Sequence, residues 1–510
     1  MRNVLFLTLV GILLSLSSCR KDFETVASNG TLEFSKSKVY LDTVFSKISS
    51  STYTLKVYNR SNKDISIPSI QLEKGLTSKF RLMVDGMTGN QGKQFSNVEL
   101  LAKDSLYIFI EATVNVNETQ ADYTYNDRIL FDNGNNQQSV DLVTLVQDAH
   151  FIFPTRALNS TVKEKLNIAG VVGVEGHVLT DSELHWTKDK PYVIYGYAAV
   201  PDGKTLIIDP GTKVYFHADT YSGLIVDSTA KILVNGSLNE INTTTGAIIT
   251  QNEVTFEADR LEPDFEDTPG QWGTVLLFSG QDNLISHLVL KNATVGLYIQ
   301  SNVSNTTAKL NIENSQIYNC SNYGILTFYS QITGQNLVIN SAGQASLACY
   351  EGGPYMFTHC TFNNNWQSSK QSAVLVSDFH YENSVAANPT SVTATFKNCI
   401  IYGSNNFELY LGHASNSFAA TFNHCLVKFN ESGNSNMNAN TDYDVIRSSN
   451  TFGNITTPEP KFKNIYKNQL TIEASSGAIG TAQFDPLFPF DILHNTRTNP
   501  SDIGAYKFMN

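Results

Sequence analysis

Short stretches of alternating apolar and polar residues run through most of the chain. In the first third, Tyr53-Thr54-Leu55-Lys56-Val57-Tyr58, Ile65-Ser66-Ile67 and Ser105-Leu106-Tyr107-Ile108-Phe109-Ile110 are separated by clusters of Asn, Gly and Asp. A period of two over four to eight residues predicts half-buried antiparallel strands. Several such strands at regular spacing predict a β-sandwich over residues 30–150.

Further on the pattern repeats. Six segments align: Leu290-Lys-Asn292-Ala293-Thr-Val295, Ile312-Glu-Asn314-Ser315-Gln-Ile317, Thr333-Gly-Gln335-Asn336-Leu-Val338, Phe357-Thr-His359-Cys360-Thr-Phe362, Phe396-Lys-Asn398-Cys399-Ile-Ile401 and Phe422-Asn-His424-Cys425-Leu-Val427. Successive segments begin 22, 21, 24, 39 and 26 residues apart. A period in the low twenties with short strands predicts the coils of a right-handed parallel β-helix. The long step predicts an insertion near Asp378 to Ser391. In this register Cys360, Cys399 and Cys425 share a column of small packed residues. The Asn column can hydrogen-bond along the stack and tolerate a left-handed bend. His359 and His424 fall in that column with Asn398 between them, which favours a structural role over a metal site.

Composition supports an all-β chain. Only 16% of residues are charged, and Asn, Ser and Thr fill the polar positions. Those residues compete with a helix for backbone hydrogen bonds. The 35 Lys and Arg against 47 Asp and Glu give a net charge of −12, unfavourable for nucleic acid. Aromatics at 11% argue against disorder. Without Cys19 five cysteines remain, an odd number with no Cys-x-x-Cys spacing, so neither a complete disulfide framework nor a zinc site is expected.

The N-terminus reads as an address. Met1-Arg2-Asn3, the apolar run Val4 to Leu14 and Ser15-Leu16-Ser17-Ser18-Cys19 have the layout of a secretion signal, too short to span a bilayer. Leu16-Ser17-Ser18-Cys19 resembles the bacterial lipobox, which implies cleavage after residue 18 and acylation of Cys19. A simple signal peptide with a chance cysteine is the alternative. Arg20-Lys21-Asp22-Phe23-Glu24 resembles the export tag of Bacteroidetes surface lipoproteins. The resemblance implies an outer-membrane, lipid-anchored protein facing the cell surface, with 19–29 as tether.

Two further resemblances bear on fold. Leu55-x-Val57-x-Asn59, Ile67-x-x-Ile70, Phe80-x-Leu82, Asp104-Ser105-Leu106 and Ile129-x-Phe131-x-Asn133 resemble immunoglobulin-like modules of the Hydin type. Leu206-Ile-Ile208-Asp-Pro210-Gly211-Thr212-Lys-Val214-Tyr-Phe216 and the closing Ser475-Ser476-Gly477-Ala478-Ile479 and Asp502-Ile503-Gly504-Ala505-Tyr506 resemble pectin-lyase-like β-helix proteins. This second resemblance covers about 190 to 510 and leaves 151–190 as linker and cap. In the finish, Ser476, Gly480 and Lys507 stand where the family has Pro, Asp and Glu. Pectin-lyase-like proteins include lyases, hydrolases, adhesins and spacers, so fold does not decide activity.

Candidate chemistry is sparse. A polysaccharide lyase needs a basic residue and a cation to neutralise a uronate. No arginine lies between Arg260 and Arg447, and the lysines there are Lys291, Lys309, Lys370, Lys397 and Lys428. A calcium ion would need clustered carboxylates, for which the run Glu262, Asp264, Glu266 and Asp267 before Gly270-Gln271-Trp272-Gly273 is the candidate. A glycoside hydrolase needs two carboxylates across a sugar. Glu351, Asp378, His380, Glu382 and Glu408 are the candidates, with Tyr350, Tyr355, Trp366 and Tyr410 as sugar-stacking platforms. The expectation is a non-catalytic cell-envelope protein that contacts glycans or other surfaces. A polysaccharide lyase or hydrolase and a passive spacer are the alternatives.

Overall fold

The computed structural model describes residues 25–510 apart from 46–48, 115–121, 157–160, 219–220, 302–306, 383–384, 387–388, 416, 432–439, 448–451 and 510. The signal segment and Cys19 therefore lie outside the described residues. No helix among them is long and apolar enough to cross a membrane. The protein is all-β and divides into two units, Met1–Asp148 and Ala149–Asn510.

The first unit has two sheets over one core. One contains Ile65–Leu72, Asp122–Phe131, Gln138–Gln147 and Lys38–Phe45; the other contains Tyr53–Tyr58, Ser105–Ala112 and Phe80–Val84. Alternation sends Leu55, Val57, Ile108 and Ile110 from one sheet, and Ile67, Ile129, Phe131 and Leu142 from the other, into the same buried cluster. Most pairs are antiparallel, but Lys38–Phe45 joins Gln138–Gln147 in parallel. Asn59 closes a corner: its buried amide donates to the carbonyls of Lys63, Leu100 and Leu101.

The second unit is a stack of parallel strands. Its ladders begin at His150–Ile152, which pairs with Tyr192–Ile194, and Gly176 to Val178 already pairs with Tyr197 to Ala199. The stretch expected as linker and cap thus contributes the first strands of both large sheets. Each turn of the chain adds a strand to a 10-stranded sheet and to a 17-stranded sheet whose longest members, Tyr323–Gln335 and Ala345–Thr358, bend across two faces. Parallel strands covered on their inner face need continuous apolar filling. That filling is one cluster running from Ile152 to Ile446.

The observed register corrects the six-segment alignment at two places. The ladder runs Ile285, Ile312, Gly334, Phe357, Phe396, Phe422. Gly334 therefore occupies the apolar column, not Thr333. A Cβ on Gly334 would lie 2.5 Å from Phe357 Cδ1, so the missing side chain makes room for a ring and hides the column from a hydrophobic pattern. The segment at Leu290 belongs to the next corner, and Ile285-Ser286-His287-Leu288 is the true member. His287, Asn314, Asn336, His359, Asn398 and His424 all turn the corner with φ between 47° and 57°. Asn tolerates that region better than most residues. The amides do bond along the stack: Asn336 Nδ2 donates to Asn314 Oδ1 at 2.9 Å, and Asn398 Nδ2 to His359 Nε2 at 3.0 Å.

Behind the corner, Cys360, Cys399 and Cys425 are buried free thiols. Phe357, Phe396 and Phe422 stack with centroids 5.3 and 4.9 Å apart. The expected insertion is a hairpin, Tyr381–Glu382 with Val385–Ala386, after which the ladder resumes at Val392. The C-terminal segment returns along the 10-stranded sheet. There the buried Arg497 donates to Asn336 Oδ1 and to the carbonyls of Gly504 and Ala505.

Candidate functional site

On the outer side of the 17-stranded sheet, Ala345–Thr358, Ser372–Ser377 and Leu409–Gly412 lie side by side, with Ala348, Leu375 and Tyr410 in one row. Alternation turns Leu375 and Tyr410 outward. A groove of about 830 Å³ opens there, walled by Tyr323, Gln344, Tyr350, Lys370, Gln371 and Tyr410. Among the described residues lining it, none is a carboxylate and Lys370 is the one cation. The Tyr323 hydroxyl donates to Gln344 Oε1. Burial pushes the Tyr323 and Tyr350 hydroxyls upward, so both keep their protons at neutral pH. The Tyr350 ring stacks on Phe328 at 5.0 Å and 8°, which fixes its orientation.

Of the four expected platforms, the groove gathers Tyr350 and Tyr410. Trp366 is half-buried at its border, its ring 3.6 Å from where a Cβ on the groove residue Gly343 would stand. Tyr355 is misassigned by sequence alone. It is fully buried, and its hydroxyl donates to the carbonyls of Tyr350 and Glu351. It keeps the inward parity of Leu347, Cys349 and Glu351 before it and of Phe357 after it, across a bulge at which Ser330 pairs with Gly352 but Ile332 pairs with Tyr355.

The acids are committed inside the structure. Glu351 is fully buried at φ 49°, with Oε2 2.8 Å from His380 Nδ1. Asp378 is buried and accepts from the amides of Ala414 and Ser415, tying the base of the insertion hairpin to a neighbouring loop. Glu408 is buried beneath Gly403 and accepts from the amide of Asn405 at 2.6 Å and from Gln371 Nε2 at 3.2 Å. Burial pushes its carboxyl up to about 7. The side chain of Glu382 is outside the described residues. Glu351, Asp378 and Glu408 thus present no solvent-facing pair of carboxylates of the kind that flanks a glycosidic bond.

The acidic run at 262–267 is closed by amides. Asn292 Nδ2 donates to the carbonyls of Phe265 and Glu266, Gln271 Nε2 to those of Phe265 and Thr268, and Asn319 Nδ2 to the Asp267 carboxylate. Glu262 faces Arg260 at 3.6 Å, and the exposed side chains of Asp264 and Glu266 lie on the outside of the turn. Among the described residues no three His, Cys, Asp or Glu side chains converge as a metal set. Trp272 of the Gly-Gln-Trp-Gly stretch is buried and donates to the Lys291 carbonyl, a structural corner.

Sequence reading missed Tyr323, Gln344 and Gln371. Tyr323 pairs with Ala345, which pairs with Ser372, so an aromatic stands beside two small residues in one row. That juxtaposition is hidden in the sequence because the offset between the two strands changes from 22 residues at Tyr323–Ala345 to 23 at Gly334–Phe357.

No protein-family model matches the chain, and no curated protein is similar to it. Among solved structures, the Escherichia coli chaperone DraB shares 18% identity over 24% of this chain and 58% of that one, at a TM-score of 0.16. A PapD-like domain of human CEP192 shares 14% identity over 26% of this chain and 94% of the domain, at 0.15. A family 123 glycoside hydrolase from Clostridium perfringens shares 8% over 24% of this chain and 29% of that one, at 0.17. Likenesses this partial leave the all-β architecture and the groove itself to speak for function.

Proposed function

We propose that the protein is a lipid-anchored cell-envelope component that binds glycan without cleaving it. In this reading Cys19 carries the anchor, residues 30–150 form an immunoglobulin-like module, and the parallel ladders of the second unit are a right-handed β-helix. The observation that carries the proposal is the groove of about 830 Å³, with two tyrosine platforms, side-chain amides and, among the described residues, no lining carboxylate. Aromatic rings offer flat apolar faces to sugar C–H surfaces, and protonated hydroxyls and amides bond to sugar hydroxyls. Among the described lining residues there is no carboxylate to act as the acid or base of a hydrolase.

Purified protein incubated with a panel of neutral and acidic polysaccharides is expected to bind without turnover. Tyr350→Ala combined with Tyr410→Ala is expected to weaken binding by roughly tenfold or more, since aromatic contacts dominate such sites. New reducing ends or the absorbance of an unsaturated product would overturn the proposal. So would binding unchanged in the double variant.

A further inference from the structure

A second cleft, of about 520 Å³, lies on the outer side of the 10-stranded sheet, between Ile400–Gly403 and the C-terminal hairpin of Phe462–Asn464 and Gln469–Ile472. Asn365, Tyr402, Ser404, Lys461, Lys463 and Tyr466 line it. Tyr466 is 75% exposed and Tyr402 half-buried, so two rings are available to a ligand. Lys428 donates to the Tyr402 hydroxyl at 3.0 Å, with its ammonium 4.7 Å from the ring centroid. Lys461 pairs with Glu459, also a lining residue, at 3.4 Å. Lys461 and Lys463 therefore line the cleft beside the one Glu459 carboxylate, and the Lys428 ammonium caps the Tyr402 hydroxyl.

This local excess runs against its surroundings. Residues 149–510 contain 20 Lys and Arg against 31 Asp and Glu. Lysines collected beside two tyrosines, an amide and a hydroxyl in an otherwise acidic unit are complementary to a sugar that carries negative charge. The cleft also shares a wall with the tyrosine groove. Ser404 Oγ accepts from Gln371 Nε2 at 3.0 Å and donates to the Trp366 carbonyl at 3.0 Å.

We propose that this cleft is a second carbohydrate site, selective for carboxylate-bearing sugar units, with Lys461 and Lys463 supplying charge and Tyr402 and Tyr466 supplying stacking. The choice of a sugar as ligand rests on the glycan-binding reading above; the selectivity for charge rests on the cleft alone. Calorimetry would compare an oligogalacturonate with the same oligomer fully methyl-esterified, on the wild type, on Lys461→Gln/Lys463→Gln and on Tyr350→Ala/Tyr410→Ala. The lysines are exposed, so the first variant is expected to fold normally.

Wild type should prefer the acidic oligomer, and added salt should erase the preference. The lysine variant should lose roughly fivefold to tenfold toward the acidic oligomer and nothing toward the ester, as expected for two solvent-accessible ion pairs. Equal affinity of wild type for both oligomers, or a lysine variant that keeps the preference, overturns the second site. If the tyrosine variant binds both oligomers as wild type does while the lysine variant loses the acidic one, this site stands, whatever the polysaccharide panel decides for the groove. If no form binds either oligomer, this site fails, and the groove is judged by the panel alone.

Discussion

Glu408 offers the sharpest physical test of the architecture beneath the groove. Its carboxyl is buried and pushed up to about 7, mainly by desolvation, with the Asn405 amide and Gln371 acting in the opposite direction. Relative to the ordinary 4.5, the shift corresponds to about 3 kcal/mol at roughly 1.4 kcal/mol per unit. The folded state holds the proton more tightly than the unfolded chain. Between pH 4.5 and 7 it therefore binds more protons, and stability falls as pH rises through that window. Above it the full penalty is in place; below it there is none. Glu408 Oε2 and Gln371 Oε1 are both buried without hydrogen-bond partners, two acceptors that need a donor between them. Glu408→Gln supplies an uncharged group with donors and removes the titration. The expected result is a variant matching wild type near pH 5 and exceeding it by up to about 3 kcal/mol near pH 8. Urea midpoints of both proteins across that range measure it. Hydrogen exchange at amides 405–412 gives a local readout, because stacked repeats can unfold in stages. Midpoints that run parallel across the whole range would refute the reasoning.

Three other outcomes follow from the same geometry. Phe396→Ala empties the middle of the Phe357–Phe396–Phe422 stack and should cost about 3–5 kcal/mol, read as a lowered thermal midpoint, whereas Phe396→Leu should cost much less. Burial and nearby Arg497 hold His359 well below the usual histidine range, so the unfolded chain takes up a proton that the folded state refuses; stability should fall as pH drops below about 6.5, and His359→Asn, which keeps the corner conformation seen at Asn398, should flatten that dependence in melting curves. Cys19→Ala should move the protein from the membrane to the soluble fraction of lysed cells, and retention in the membrane would sink the anchor.

Strand class and repeat were legible because burial on one face imposes a period on the chain. Phe357, Phe396 and Phe422 mark the same inward position three times, and the corner residues His359, Asn398 and His424 keep fixed offsets from them. The position of the hairpin followed from one anomalous step in that period. Two glycine-dependent features were not legible. Gly334 contributes to the apolar column by lacking a side chain, since the neighbouring ring fills its place, so no hydrophobic pattern can register it. Gly352, Gly353 and Pro354 interrupt the alternation that places Tyr355 inward with Leu347, Cys349 and Phe357, so its burial was hidden and it was expected as a platform. The candidate site was legible only in part for the same reason. Tyr350 and Tyr410 are 60 residues apart, and the partnership of Tyr350 with Tyr323 depends on register across two turns.

The roles of the acids were decided by tertiary structure alone. Glu351, Asp378 and Glu408 read as surface loop carboxylates, and burial turned them into a histidine partner, a loop tie and a raised-pKa acid beneath a groove. Sequence by itself determined the all-β class, the repeat and the scarcity of basic residues, because these are properties of composition and period. Which side chains meet, and whether a charge faces water or the interior, depends on register and on bulges. Those are settled by packing between turns far apart in the chain, where a single missing Cβ or a single extra residue changes every contact beyond it.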